Sequence, residues 1–284
     1  TGTYIVGRGE VVVIDPGPTL NSHKDALLAT LEGETVSRIL VTHCHSDHSP
    51  LAAWLKERTG APTVAFGPHA SIEGWVDDDT DPYEMDEEDK AAKEAAIADG
   101  ATEEGHDLDF RPDIVVRDGD LAASGDGWTM TAVHTPGHTS NHTCYLLSAD
   151  GALFCGDHVM GWSTTVITPP DGDMRDYLSS LEKVKALSPS VLYPTHGAPI
   201  TDAVPFIDAF IEHRLERERN IVACVNEGVQ LIPDIVQRLY VGVNPKLYRA
   251  AARSVLAHMV KLVDDGVVRY EGAQPGVKTP YFPA

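Results

Sequence analysis

The chain has 284 residues, of which 42% are hydrophobic and 23% are charged, and its formal net charge is −21. These values are ordinary for a globular protein with one large layered domain and a smaller one. No apolar stretch reaches the roughly 18 residues that a membrane-spanning helix needs, and the first residues lack the basic and apolar regions of a signal peptide. We therefore expect a cytoplasmic protein with no membrane partner.

Predicted strands and helices alternate along the first two thirds of the chain. Short apolar runs predict strands, and apolar residues at helical spacing predict helices. The predicted strands cover residues 4–7, 11–15, 39–41, 130–133, 143–147 and 153–155. The predicted helices cover residues 21–31, with Asn21 or Ser22 as the cap, 51–58 and 176–187. This order predicts an α/β fold, a mixed sheet system covered by outer helices.

The segment 42–48 has the composition of a metal site. It reads Thr-His-Cys-His-Ser-Asp-His and directly follows the predicted strand 39–41. Its candidate ligands are His43, His45, Asp47 and His48. Imidazole and carboxylate groups are the ligands that suit zinc and related divalent ions. A purely structural role is disfavoured, because so many ring nitrogens and carboxylate oxygens would all need other partners.

Residues 77–104 form a strongly acidic segment. They contain 13 acidic and 2 basic side chains and so contribute −11 to the net charge. We interpret the segment as an exposed acidic insertion in the first domain, with a short solvated helix. A solubilising surface is favoured over a partner-binding one.

Three further ligand-type residues stand beside glycine, each after an apolar run: His138, Asp157 and His196. Strand ends meet at one rim of a sheet, so residues that are far apart in sequence can come together there. The neighbouring glycines allow sharp turns or a close approach of the backbone. Taken singly, each histidine would be read as an ordinary loop residue. Together with the segment 42–48, the three residues predict one shared metal centre.

The four cysteines do not form a disulfide framework in a chain of this size. Asp150-Gly151 predicts a two-residue hairpin turn that pairs Ala149 with Ala152. That register would place Cys144 and Cys155 on diagonal neighbours, too far apart for an unstrained bridge. We therefore expect reduced, buried thiols.

From Val204 onward the pattern becomes mainly helical. A long helix has its apolar face between Phe206 and Val225. Further predicted helices cover 232–239 and 247–263, and a predicted hairpin pairs 267–270 with 277–281. This order is typical of a winged-helix-like domain. We divide the chain into a domain with the ligand residues, 1–204, and a C-terminal domain, 205–284.

With these ligands in this order, the chain resembles the metallo-beta-lactamase superfamily over its whole length. Dinuclear members share a His-x-His-x-Asp-His stretch, a later histidine, a bridging aspartate and a last histidine. The resemblance implies a four-layer αββα sandwich. It implies two divalent ions, for which we expect Zn²⁺. The implied ligands of the first ion are His43, His45 and His138, and those of the second are Asp47, His48 and His196.

The same resemblance implies roles for other residues. Asp157 would bridge the two ions, and Asp15 would support the histidine loop from behind. A metal-bound hydroxide would attack the substrate, with Asp47 holding the second ion and the hydroxide's proton. A histidine outside the ligand set, His142 or His158, could protonate the leaving group, although packing roles are favoured for both. Family position also places residues 163–165 at the pocket.

Several functions are compatible with this site. A bridging Asp157 favours hydrolysis of an ester, thioester or phosphodiester over lactam opening. A glyoxalase-II-like core with a winged-helix-like tail resembles the beta-lactamase-like protein two branch, whose animal members are regarded as endoribonucleases. A persulfide dioxygenase would use a single iron and leave the His48 and His196 pair idle. A non-enzymatic metal-binding interaction protein is a further alternative.

The distribution of net charge along the chain ranks these candidate functions. Residues 1–210 contain 12 basic and 35 acidic side chains, net −23, whereas residues 211–284 contain 10 and 8, net +2. Proteins that bind nucleic acids normally show a clear basic track. We therefore prefer a hydrolase of a small-molecule substrate, with RNA as the disfavoured alternative partner. The oligomeric state is left open.

Overall fold

A computed structural model describes residues 1–69, 91, 94–95 and 105–284 of the chain. The predicted acidic insertion 77–104 lies outside these residues except at three positions. Within the described residues, no helix is long and apolar enough to cross a membrane. The cytoplasmic location stays a prediction.

The first half of the described chain forms a five-stranded sheet with two helices on one face. Its strands are β1 Tyr4–Arg8, β2 Glu10–Ile14, β3 Thr35–Leu40, β4 Thr63–Ala65 and β5 Ile114–Val115, in that spatial order. The helices are α1 Asn21–Thr30 and α2 Leu51–Thr59. Strands β2 to β5 run parallel, and β1 is antiparallel to β2. The predicted cap of α1 was wrong, because Leu20 occupies the cap position and no side chain caps the helix.

The second sheet also has five strands, in the order β10-β9-β8-β7-β6. They are β6 Leu121–Gly125, β7 Trp128–His134, β8 Thr143–Leu147, β9 Leu153–Gly156 and β10 Leu192–Pro194. Helix α3, Met174–Leu187, covers the outer face and is capped by the side chain of Asp173. The parallel pairing of β10 with β9 brings both carboxyl ends to the same rim of the sheet.

Side chains that point alternately to the two faces of each sheet produce the layers of the fold. Val12 and Ile14 of β2 pack with Tyr145 in the core between the two sheets. Their neighbours Val11 and Val13 point the other way and pack beneath α1 and α2. Residues of successive strand positions point to opposite faces, so a continuous apolar run such as that of β2 serves two cores at once. The expected four-layer αββα arrangement is confirmed.

The turn between β8 and β9 differs from its prediction. Tyr145 pairs with Phe154 and Leu146 with Leu153, a register two residues away from the predicted one. Cys144 and Cys155 are therefore opposite rather than diagonal, and the structure shows both as free, buried thiols. Burial raises the pKa of Cys144 to about 12, which keeps the thiol protonated and unreactive.

The C-terminal part is helical with a short hairpin. Its elements are α4 Ala203–Asn226, α5 Ile232–Leu239, α6 Tyr248–Asp264, β11 Val268–Tyr270 and β12 Tyr281–Pro283. The hairpin exists, but its second strand begins at Tyr281 rather than at 277. Helix α4 contributes to the core behind the second sheet through Ile207 and to the C-terminal core through Ile221. The domain boundary at 204–205 stays a prediction.

Candidate metal centre

Asp15 holds the loop that carries four of the predicted ligands. It is fully buried after β2 and has a left-handed backbone conformation, with a φ of 49°. Its carboxylate accepts hydrogen bonds from the backbone N–H and the hydroxyl of Thr42, both at 2.7 Å, and lies 3.0 Å from Nδ1 of His48. Such a conformation at a non-glycine residue persists only where the surroundings fix it. Asp15 thus contacts both ends of the loop.

Three imidazole nitrogens converge at the first group of predicted ligands. Nε2 of His43 and Nε2 of His138 lie 2.9 and 3.0 Å from Nδ1 of His45. On the other side of the His138 ring, Nδ1 lies 2.7 Å from a backbone carbonyl oxygen and must carry the proton. Thr42 donates its hydroxyl proton to Asp15, so Nδ1 of His43 donates to Thr42. Both Nε2 atoms therefore direct lone pairs at one point.

A second group consists of Asp47, His48 and His196. Oδ2 of Asp47 lies 3.3 Å from Nε2 of His48 and 3.1 Å from Nε2 of His196, and it also accepts a hydrogen bond from the Thr1 hydroxyl. The ligand atoms of each group lie within 4.8 Å of one another. His48 is fully buried, whereas the Asp47 side chain is 41% exposed. Asp47 is therefore the most exposed member of this group, and His196 is 18% exposed.

Asp157 lies between the two groups. Its Oδ1 is 3.5 Å from Nε2 of both His48 and His196. Its Oδ2 faces the first group, 3.8 Å from Nε2 of His138. Thr195 donates a hydrogen bond to Oδ1 at 2.6 Å and so fixes the orientation of the carboxylate. The structure thus brings the other six predicted ligands together around Asp157.

Glycine at position 156 makes this convergence sterically feasible. Gly156 has a φ of 49°, and a Cβ atom there would lie 2.8 Å from both the Thr42 hydroxyl and Nε2 of His142. Any side chain would therefore push the end of β9 away from the histidine loop. The approach is also held by a hydrogen bond from the Asp157 N–H to His142 Nε2 at 3.2 Å.

The charge states of the ligands follow from burial and from their mutual contacts. Burial and neighbouring histidines hold the pKa of His43 and His45 well below the usual value, so both rings are neutral. Burial alone would lower the pKa of His48, but Asp157 and Asp15 outweigh it and raise the pKa well above the usual value. At Asp47, the adjacent imidazoles of His196 and His48 outweigh burial and hold the pKa of the carboxyl far below its usual range.

These ligands fit divalent cations. Lone pairs that point at one another repel unless a proton or a cation lies between them. His48 Nε2 is buried and has no hydrogen-bond partner among the described residues. Neutral imidazoles and ionised carboxylates are the forms in which these side chains bind metals. The proton that the raised pKa keeps on His48 would have to leave before metal could bind there.

A cavity of about 320 Å³ opens beside the first group. Its lining residues are His45, His106, His138, Asp157, Met160, Val166, Thr168 and Asp171. At the second group, the ring of Trp162 stacks on His196, with ring centroids 5.8 Å apart and planes inclined by 10°. Trp162 is 72% exposed, so its outer face is open at the edge of the centre.

The two histidines considered as proton donors do not reach this cavity. His142 and His158 are fully buried, and His142 uses Nε2 for the Asp157 N–H and Nδ1 for the Thr135 hydroxyl. Of residues 163–165, Thr165 is buried and donates to the carbonyl oxygens of Asp157 and His158. Packing and support are therefore the roles that the structure gives these side chains.

Sequence reasoning missed the lining residues His106 and Asp171 and the stacked Trp162. His106 and Asp171 stand alone in the sequence, without a second ligand at a regular spacing. Trp162 offered a weak signal, because a tryptophan beside Gly161 in a polar loop has little local core to join. That glycine donates its N–H to the His196 carbonyl oxygen at 2.7 Å, which brings the two loops into contact.

Comparison with known families supports both parts of the chain. A model of the metallo-beta-lactamase superfamily matches residues 2–196. A model of the beta-lactamase associated winged helix domain matches residues 232–276. The expected winged-helix-like C-terminal domain is therefore confirmed.

Similar proteins match the chain almost end to end. It is 30% identical to the beta-lactamase-like protein 2 homolog of Caenorhabditis elegans over 94% of this chain and 80% of that protein. It is 27% identical to the lactamase-like protein adaB of Aspergillus niger over 96% of this chain and 78% of that protein. Among solved structures, a metallo-beta-lactamase family protein from Thermus thermophilus superposes with a TM-score of 0.73 at 22% identity, covering 99% and 93% of the two chains. The last similarity concerns the fold alone.

Proposed function

The chain belongs to the metallo-beta-lactamase superfamily, and on that basis we propose that it is a zinc-dependent hydrolase with two metal ions that acts on a small ester, thioester or related substrate. The observation that supports this most directly is the position of Asp157. Its two carboxylate oxygens face different ligand groups. One carboxylate between two sets of ligands is the arrangement that two closely spaced metal ions require.

In this proposal, His43, His45 and His138 would hold the first ion, Asp47, His48 and His196 would hold the second, and Asp157 would supply a ligand oxygen to each. When bound, two such ions supply Lewis-acid polarisation of the substrate and lower the pKa of bound water toward neutrality. We expect zinc because it accepts the mixture of imidazole and carboxylate ligands found here.

Asp47 is the proposed catalytic residue. Its carboxylate is ionised at neutral pH because the adjacent imidazoles of His196 and His48 lower its pKa. Its side chain is also exposed enough to meet a water molecule that enters the site. A carboxylate in this position can accept a hydrogen bond from the attacking water and so orient it.

The cavity favours a small substrate. Met160 and Val166 give it apolar surface beside the carboxylates of Asp157 and Asp171. A volume of about 320 Å³ lies at the lower end of the range for small-molecule sites, about 300–1,000 Å³. No lysine or arginine is among its lining residues in the described part of the chain, which disfavours a polyanionic substrate.

The first test is a substrate panel offered to the zinc-loaded protein: thioesters, lactones, phosphodiesters and single-stranded RNA. We expect turnover of an ester-type substrate that falls at least about a hundredfold in Asp47→Ala, since positioned acid–base groups typically contribute about 10²–10⁴. Zinc should remain at the first ligand group in that variant. As a matched control, Asp126→Ala removes an exposed aspartate in the turn between β6 and β7 and should leave turnover unchanged.

Two results would contradict the proposal. Turnover that survives in Asp47→Ala within tenfold of the parent would remove Asp47 from the mechanism. Zinc binding without turnover of any panel member would favour a metal-binding interaction protein instead.

A further inference from the structure

A third cluster of metal-ligand side chains lies beside the proposed dinuclear centre. His69 follows β4, His106 forms an isolated bridge with His45, and Asp171 precedes α3. Ligand atoms of His69, His106 and Asp171 lie within 4.8 Å of one another. None of the three belongs to the two groups already described. Three distant parts of the chain therefore meet here without a role in the proposed hydrolysis.

The cluster contains buried polar atoms that lack partners. Nδ1 of His69 and Oδ1 of Asp171 are buried and have no hydrogen-bond partner among the described residues. The side chains concerned are 91% and 94% buried. The hydroxyl of Ser140, whose backbone N–H donates to Asp171 Oδ2 at 3.2 Å, is a third such atom. Adjacent unsatisfied atoms of this kind indicate an ion or a water that completes them.

Charge makes a cation the better choice of occupant. Among the described residues, the only cationic type of side chain within ion-pair distance of Asp171 is His69, with Nδ1 3.5 Å from Oδ2. A buried carboxylate without a close counter-charge is costly, whereas a water molecule carries no charge to compensate it. A divalent ion would neutralise Asp171 and satisfy His69 Nδ1 together.

The rings of His69 and His106 lie against each other. Their ring centroids are 3.8 Å apart and their planes are inclined by 19°, a stacked pair. A neutral imidazole keeps one nitrogen lone pair, and two imidazoles with one carboxylate are a ligand set for zinc and iron(II).

From these observations, we propose that His69, His106 and Asp171 bind a third divalent transition-metal ion. Asp171 and His106 line the same cavity as His45, His138 and Asp157. The third ion therefore places positive charge on a cavity wall that otherwise carries two carboxylates. Its consequence for the proposed hydrolase is recognition of an anionic group, a carboxylate or a phosphate, on the small substrate.

Cobalt(II) titration of the metal-free protein tests this proposal. The bound ions are counted by elemental analysis after gel filtration, and their visible absorption reports ligand geometry. We expect three ions per chain in the parent and two in both His69→Gln and Asp171→Asn. Asp126→Asn, a carboxylate loss far from the cluster in sequence, should keep three. Having both variants keeps the test valid if replacing the buried Asp171 disturbs folding.

The outcomes separate this site from the dinuclear centre. Two ions in the parent and two in both variants would overturn the third site while leaving the dinuclear proposal intact. Three ions that persist in the variants would also overturn it. A parent that binds only one ion would contradict the dinuclear centre, and loss of that ion in Asp171→Asn but not in Asp47→Ala would still assign it to the third cluster.

Discussion

Three of the candidate ligand histidines are oriented by contacts on the side of the ring that faces away from the candidate metal centre. His43 donates to Thr42, His48 contacts Asp15, and His138 donates to the carbonyl oxygen of Val166. His196 is held differently, by the stacked ring of Trp162. Outer contacts of this kind fix the tautomer and the direction of the lone pair, and their loss typically costs about 10- to 100-fold in metal affinity. The centre is thus preorganised by neighbouring residues.

His158 gives the first prediction at this scale, on pH dependence. It is fully buried against Tyr177, and burial lowers the pKa of its imidazole to about 3. In the unfolded chain the His158 imidazole binds a proton with a pKa near 6.5. The neutral, buried imidazole therefore contributes fully to the free energy of unfolding above that pH. This contribution is lost as pH falls, by about 1.4 kcal/mol per pH unit. His158→Leu should therefore reduce the fall in the free energy of unfolding between pH 6.5 and 5 by about 2 kcal/mol.

Urea titrations of the metal-free protein at several pH values measure this difference. Other buried neutral histidines, such as His43, remain in the variant, so the slope should become smaller without disappearing. An identical pH dependence in parent and variant would mean that His158 is protonated or solvated in the folded protein.

At the level of elements, the sequence predicts apolar strands that are bounded by turn residues better than it predicts very short strands. Strand β8 has its predicted bounds, because the run from Thr143 to Leu147 is apolar and punctuated by turn residues. Strands β4 and β5 were missed, since runs of three and two residues show no measurable alternation. Short strands are defined by the partners that they pair with, which are distant in sequence.

The register error between β8 and β9 has a related cause. A slip of one residue would turn every side chain to the other face, but a slip of two leaves Cys144 and Tyr145 facing the same cores. Hydrophobic patterning therefore cannot separate the two registers. The conformation of the turn sets the register. Here the Asp150 side chain accepts a hydrogen bond from the Ala152 N–H within a turn longer than two residues.

In the candidate site too, residues that are close in sequence could be predicted, whereas residues that meet only in the folded chain could not. The segment 42–48 could be recognised because its ligands are dense in sequence. His69, His106 and Asp171 could not be recognised, since each is a single ligand-type residue in its own stretch. Their proximity arises from tertiary contacts between distant parts of the chain, which no spacing in the sequence encodes.

Gly137 supports a prediction about how an element positions a ligand. Its φ is 128°, and an added Cβ would lie 2.3 Å from the backbone nitrogen and 2.4 Å from Cα of Tyr177 in α3. The clash is with backbone, which a rotamer change cannot relieve. Gly137→Ala should therefore lower the free energy of unfolding by more than about 2 kcal/mol and weaken metal binding at the adjacent His138.

Gly127→Ala is the matched control for this prediction. Gly127 also has a positive φ, 77°, but no atom lies within 4 Å of the position of its Cβ. Only the backbone cost of about 1–2 kcal/mol applies there, and metal binding should be unaffected. Equal effects of the two substitutions on stability and on zinc stoichiometry would show that the contact with α3 is unimportant.

At the scale of the whole molecule, helix α4 connects the metal centre to the C-terminal domain. Arg214, near the middle of the helix, is buried and donates to the Thr165 carbonyl oxygen and, at 3.1 Å, to the Ser254 hydroxyl of α6. Thr165 in turn donates to the carbonyl oxygen of Asp157. A chain of hydrogen bonds therefore runs from the C-terminal domain to the residue between the two ligand groups.

The charge asymmetry between the two parts supports the last prediction. The net charge is −23 over residues 1–210 and +2 over residues 211–284, so the C-terminal part is the one whose charge favours contact with a polyanion. Arg249 and Arg253 lie in α6, one turn apart. Replacing both by glutamate should leave turnover of a small substrate within about twofold, since neither residue lines the cavity of the centre.

RNA is the substrate that would respond to this double change. Each phosphate contact that is lost should reduce the dependence of binding on salt, because fewer counterions are released. We expect the parent to cleave single-stranded RNA weakly at best, as its catalytic face carries no compensating basic track. The measurement compares cleavage rates of RNA and of the best small substrate over a range of salt concentrations, in parent and variant. Efficient RNA cleavage that the double change abolishes, with small-substrate turnover intact, would make the endoribonuclease the preferred function.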